Sequence, residues 1–320
     1  MSKAQKIWML VAVCFVIIGA LLFVGVMAAL DFDFTKLSTE KCETNTYEIS
    51  ETFENISIDV TTAEIEFAAS ADESCKVVCE EREKQKHSVT VEDRTLVIDT
   101  ADTRKWYDVI GVSFENMKIT VYLPQDAYSV LRIDTSTGDI DIPKNFSFEK
   151  IEITGSTATV NCDASASNVL TVQTDTGDIT ANALCATEMR LSTTTGEIHI
   201  NSVTSNGTVA VETDTGKVRL TDVTCTDFSA ESDTGDITLE RVIAAGDMRI
   251  ESGTGDVRFE NSDAAKISVE TGTGGVFGTL QSEKVFLTET ATGRVRVPKT
   301  ATGGKCEIKT GTGDIDISVQ

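Results

Sequence analysis

The residues in this chain that could do chemistry are mostly carboxylates, and they recur at fixed distances from a glycine. Asp175, Asp214 and Asp233 stand two residues before a glycine, and Asp178, Asp236 and Asp256 follow one directly, as do Asp139 and Asp314. Carboxylates stacked at a glycine corner are the ligands a hard cation such as calcium takes. Other copies of the same corner carry Glu197, Lys217, Gly275 and Arg294 after the glycine, and a Gly-Gly-x-Gly-x-Asp calcium repeat is absent. The reading is therefore no metal and no cofactor, with calcium on Asp175, Asp178, Asp214, Asp233, Asp236 and Asp256 as the cation to test.

Catalytic constellations are sparse. There are two histidines, and His199 lies two residues after Glu197 with no cluster around it. No Gly-x-Ser-x-Gly, His-Glu-x-x-His or phosphate loop occurs. With so many carboxylates, some pair can always be cast as a glycosidase acid and base. A catalytic site would interrupt a repeat, however, and residues 129–320 run nearly uninterrupted. Of eight cysteines, Cys14 lies in an apolar run, Cys162 and Cys306 fall at inward positions, and Cys185 and Cys225 are two repeats apart. Cys75 and Cys79 share one strand face, and Cys42 is placed to pair with either. Mostly free thiols with at most one bridge are expected. Without a Cys-x-x-Cys, neither zinc nor a thioredoxin-like motif is indicated. Trp106 and Tyr107, beside Arg104 and Lys105, are partner-binding candidates by residue type; the same segment would also serve as a hairpin covering the first rung.

The elements that must position these residues come from one repeat. Gly138, Gly177, Gly196, Gly216, Gly235, Gly255, Gly274, Gly293 and Gly313 mark its corner, spaced by 19 or 20 residues from Gly177 on. Ala158 fills the one vacant position, and a Thr precedes the corner in all ten copies. Ile or Val follows two residues after the corner, and apolar residues stand five and seven before it. This period-2 alternation on both sides of a turn predicts two half-buried strands per repeat, then a looser return. No such unit buries its apolar face alone, so neighbours must stack. The prediction is an all-β β-solenoid, a single-stranded β-helix of about ten 19–20-residue rungs. Propeller blades need about 40–45 residues each and fit less well. The Thr-x-Thr pairs, such as Thr174/Thr176, read as a ladder bonding along the stack rather than as an ice-binding array.

Along the chain, 1–6 is a short tail carrying Lys3 and Lys6, and 7–30 is uncharged and long enough to span a bilayer as a helix. The lysines before it, with Asp31 and Asp33 after it, predict a retained signal anchor with a cytoplasmic amino terminus and an extracellular remainder. A cleaved signal peptide is the competing reading. Residues 31–48 read as a juxtamembrane linker, 49–128 as an irregular β lead-in with a degenerate rung cornered at Ala63, and 129–320 as the regular solenoid. Glu80 to Lys86 reads as a solvated hairpin end. With 28 basic against 51 acidic residues, a net charge of −23, the surface repels nucleic acid.

The segment Ile119-Thr120-Val121-Tyr122-Leu123-Pro124, followed by the first Thr137-Gly138-Asp139-Ile140 rung, resembles the bacterial putative adhesin family, over about residues 49–320. That resemblance implies a β-helical, envelope-associated, noncatalytic protein and supplies no catalytic residues. The expectation is a membrane-anchored solenoid that binds a cell-envelope or surface ligand, protein or glycan, with end-to-end self-association through an uncovered edge after Gln320. The alternatives are a polysaccharide-active β-helix enzyme and a structural or sensory envelope spacer.

Overall fold

The computed structural model describes residues 3–32, 42–102 and 117–320. Lys3–Ala29 forms one helix, and Gln5–Ala29 within it is long and apolar enough to cross a membrane. From Cys42 on, every described element is a strand.

One rung shows the design. Thr208–Thr215 and Val218–Cys225 meet at Gly216. Val209, Val211, Val218 and Leu220 point inward and are buried, while Glu212 and Arg219 face out. Each strand pairs in parallel with its counterpart one rung on, Val211 beside Ala230 and Leu220 beside Leu239. Repeating this from Ile56 to Ile317 yields one continuous apolar core, so the predicted β-solenoid is what forms. At Gly216 a Cβ would lie 1.7 Å from the Gly196 carbonyl oxygen, so glycine lets this corner nest against its neighbour. Gly177 adds a positive φ of 138°.

The threonine pairs divide between inside and outside. The first of each pair is buried, and in the middle rungs its hydroxyl, or that of a serine in its place, donates to the corner carbonyl of the adjoining rung: Thr193 to Gly177 at 3.1 Å, Thr213 to Gly196 at 3.1 Å, Ser232 to Gly216 at 3.2 Å. These bonds satisfy carbonyls that the corner would otherwise leave buried and unpaired. The return is more regular than its sequence suggests. Ala183, Ser202, Asp222, Arg241 and Asn261, each six residues after a corner, adopt left-handed φ values of 50–58° and form a second corner.

Stacking does not follow chain order at either end. Asn55–Thr62 lies between Thr95–Asp102 and Ala127–Thr137, pairing in parallel with both. At the other end Gly304–Thr312 lies between Val257–Thr273 and Lys284–Thr292. The final rung is thus internal, and the open edge belongs to Lys284–Thr292 and Val295–Arg296, correcting the expectation of an edge after Gln320. The skip over one layer is pinned by an enclosed ion pair, Lys284 Nζ to Asp263 Oδ1 at 2.6 Å.

Two other expectations are corrected at the amino-terminal end. Residues 42–48, assigned to the linker, belong to the strand Cys42–Ile49, which pairs antiparallel with Cys75–Arg82. The run Glu80 to Lys86 is not simply solvated, because Glu81 and Gln85 are buried. Cys75–Arg82 also pairs antiparallel with Lys118–Leu123, and Gln85–Glu92 with Thr95–Asp102. These antiparallel strands cap the stack.

Candidate binding face

The outward position four residues before each corner forms a continuous column whose members sit side by side at strand spacing. It begins Asp99, Asp59, Asp134. Thr154, Gln173 and Ser192 follow, and then Glu212, Glu231, Glu251 and Glu270 on consecutive rungs. Lys309 ends the acidic run. Parallel register thus places like charges roughly 4.8 Å apart. Burial and the flanking Glu212 and Glu251 hold the Glu231 carboxyl above its ordinary range. Burial and Asp59 do the same to Asp99. Among the described residues Glu212, Glu231 and Glu270 have no ion-pair partner.

Two outward columns shape this face. In the column six before the corner, Ala210 and Ser229 separate Arg190 from Arg249. The small side chains open a shallow depression of about 300 Å³ walled by Glu212, Glu231 and Glu251. Arg190 is engaged by Glu188 at 2.9 Å and Arg249 by Glu251, so the unpaired charge of the depression is negative. A second hollow, about 260 Å³, is lined by Asp59, Asp99 and Asp134 with Thr61, Thr100 and Ser136. Such surfaces take ammonium or guanidinium groups and polyhydroxyl chains.

The corner aspartates are occupied differently. Asp178 accepts the Glu197 backbone N–H at 2.8 Å, Asp236 that of Asp256 at 3.0 Å, and Asp256 that of Gly275 at 2.8 Å. These side chains tie successive corners together. Asp175, Asp214 and Asp233 are exposed; Asp214 and Asp233 are on adjoining rungs, while Thr194 stands between Asp175 and Asp214. The six are not gathered at one point. Trp106 and Tyr107 lie outside the described residues. His199 contacts Glu197 at 3.0 Å in a half-exposed pair.

All eight cysteines are free thiols, with Cys162 and Cys306 buried as their positions predicted. One cluster escaped the sequence reading. Among the described residues, the group of three potential metal-ligating side chains is Cys79, Glu81 and His87, all buried. The signal was present: Cys75, Val77, Cys79 and Glu81 alternate onto one face, which carries the glutamate into the interior.

The chain belongs to the Toastrack DUF4097 family, whose profile matches residues 53–210 and again 205–320. None of the curated proteins matches it. Among solved structures, it is similar to a putative adhesin from Bacteroides fragilis NCTC 9343, at 17% identity over 87% of this chain and 97% of that one, TM-score 0.45. A putative adhesin from Parabacteroides distasonis ATCC 8503 has 12% identity over 86% and 98%, TM-score 0.48. A putative lipid binding protein from the same organism has 16% identity over 88% and 98%, TM-score 0.47. The family match indicates no catalytic class.

Proposed function

We propose that this protein is a membrane-anchored, extracytoplasmic binding protein, amino terminus in the cytoplasm, whose acidic face engages a cationic component of the cell envelope, an amine-bearing glycan or a basic protein. The observation that carries this reading is the run of Glu212, Glu231, Glu251 and Glu270 in register on four consecutive rungs. Like charges directly opposite each other destabilise a sheet, so a run of four is a local conflict of the kind found at functional surfaces. A rigid, repeat-built rod presents such a rail without reorganisation on binding. Catalysis has no role in this reading.

The test is cosedimentation of residues 31–320 with isolated cell walls across a salt series, with and without calcium and a chelator. Binding that weakens with salt, survives chelation and falls at least tenfold in a Glu212→Gln/Glu231→Gln double variant supports the proposal. Binding that the double variant leaves intact overturns it. Binding lost to the chelator alone would assign the corner aspartates to calcium instead.

A second surface favours self-association. Leu287 and Val295 are 51% and 45% exposed on an edge rung paired on one side only. An unpaired edge of this kind templates another strand. A Leu287→Lys variant that sediments as the wild type does at high concentration would exclude pairing through this edge.

A further inference from the structure

The hairpin at the root of the amino-terminal cap brings three unlike ligands together. Its strands pair with each other only at Arg82 and Gln85 and then diverge, Cys75–Arg82 toward Lys118–Leu123 and Gln85–Glu92 toward Thr95–Asp102. Inward side chains from the two strands therefore converge where the hairpin opens. Cys79, Glu81 and His87 each offer a donor atom there, all within 4.8 Å of one another. The side chains of Glu81 and His87 are wholly enclosed, and Cys79 is likewise inaccessible.

The surrounding bonds orient this group. The Asn45 amide donates to one Glu81 oxygen at 2.6 Å, and the other accepts the His87 backbone N–H at 2.6 Å. That second oxygen also meets His87 Nδ1 at 2.8 Å, and the Tyr47 hydroxyl donates to the His87 carbonyl at 3.1 Å. Nδ1 and the facing Glu81 oxygen share one proton in the metal-free chain, and an ion held between His87, Glu81 and Cys79 would take that proton's place. Among the described residues, the buried Nε2 has no hydrogen-bond partner. A buried polar nitrogen without one costs about 1–3 kcal/mol.

We propose that Cys79, Glu81 and His87 form a buried site for a borderline-soft transition-metal ion, zinc(II) first. Thiolate, imidazole and carboxylate together are zinc ligands rather than calcium ligands, since calcium takes oxygen alone. The donors come from both strands of the splayed hairpin, so the ion would clamp these diverging strands together at the capped end of the stack. This differs in place and chemistry from the corner aspartates. It also accounts for a histidine and a glutamate buried side by side at the capped end.

The test uses the full chain in detergent, stripped with a chelator and titrated with cobalt(II) as a spectroscopic probe, then with zinc. Expected are one cobalt per chain, a thiolate-to-cobalt charge-transfer band with intense visible bands of a four-coordinate ion, and displacement by zinc. Cys79→Ser and His87→Gln should each weaken binding at least tenfold. Cys75→Ser, a buried thiol four residues earlier, and Cys42→Ser and Cys185→Ser, exposed thiols, should leave it unchanged. Substoichiometric cobalt, or binding that survives both Cys79→Ser and His87→Gln, overturns the site. Should those variants fail to fold, the stripped wild type decides: zinc raises its melting temperature by several degrees if the site exists, and a melt unmoved by zinc rules it out.

Discussion

The two ends of the solenoid solve the same problem in opposite ways. At the amino-terminal end the outermost rung, with Leu96 and Ile98, is covered by antiparallel strands, and both residues are 0% exposed. At the carboxy-terminal end no described residue covers the outermost rung, and Val295 on it is 45% exposed. Both ends share one device: the stack is not in chain order, so a strand remote in sequence is locked between two others. A terminal rung laid down last and outermost frays freely, whereas an intercalated one loosens only when its outer neighbour has left. The difference in cover then separates a sealed end from one able to accept another strand.

The strongest way to break this picture is the ion pair that pins the skipped layer. Asp263→Ala leaves the Lys284 ammonium enclosed without its partner, which should cost about 3–5 kcal/mol. The Asp263→Leu/Lys284→Met double variant should recover most of that loss, as replacement of a buried pair by apolar side chains often does. Chemical denaturation of residues 42–320 measures both. A single variant that unfolds like the wild type would mean that the skip is held by strand pairing alone.

Next in size is a direct test of the rung order. Ile315 and Val295 occupy the same column on adjoining strands, yet Ile315 is fully buried. Ile315→Ala should cost about 2–5 kcal/mol, Val295→Ala less than about 1, and Leu96→Ala at the capped end about 2–5. Stacking in chain order would reverse the first two. Equal losses at Leu96 and Val295 would erase the distinction between the two ends.

What the sequence disclosed, and what it hid, follows from how each feature is encoded. The corner was legible because a Cβ there collides with backbone, so glycine recurs visibly. Ala63 was readable as a corner from the alternating residues on either side of it, and Thr62 does stand beside Thr137. The second corner was illegible because it holds Ala183, Ser202, Asp222, Arg241 and Asn261, five different residues in one backbone conformation. Stack order was hidden more deeply: repeats that resemble each other pair equally well in either order, and the choice rests on particulars such as Lys284 and Asp263. Of the binding face, the glutamates at 212, 231, 251 and 270 were visible as polar positions. Their unbroken alignment became apparent only with the register. Alternation alone carries Cys79 and Glu81 onto one inward face; their meeting with His87 needs a hairpin whose strands diverge to different partners, which the sequence did not announce.

The second corner gives a smaller prediction. A left-handed residue other than glycine is strained by roughly 1–2 kcal/mol, and glycine loses about 0.5–1 kcal/mol through backbone freedom. Ala183→Gly should therefore stabilise the regular stack by about 0.5 kcal/mol, read as a small rise in the denaturation midpoint. Destabilisation instead would show that the alanine methyl is more important to packing than its exposed position indicates.

The smallest effect is also the most specific to the acidic rail, and its sign depends on pH. Burial and like-charged neighbours raise the folded-state pKa of Glu231, as they do for Asp99 and Asp141. A carboxyl whose folded pKa lies above its unfolded value binds more protons when folded, so its penalty is fully present at neutral pH. That penalty shrinks as pH falls through the raised value and is gone below the ordinary value of about 4.3. Glu307 behaves oppositely: Lys305 and Lys309 hold it down to about 2, so its contribution persists above the ordinary value and disappears as pH falls toward about 2. Glu231→Gln removes one charge from the centre of the run and should stabilise the protein at pH 7 by roughly 0.2–1 kcal/mol. The gain should be largely lost at about pH 3, below the ordinary carboxylate value of about 4.3, while Lys305 and Lys309 still hold Glu307 ionised. Denaturation of wild type and variant at the two pH values reads this directly. A gain that is the same at both would assign the effect to packing and remove the electrostatic conflict from which the binding face was inferred.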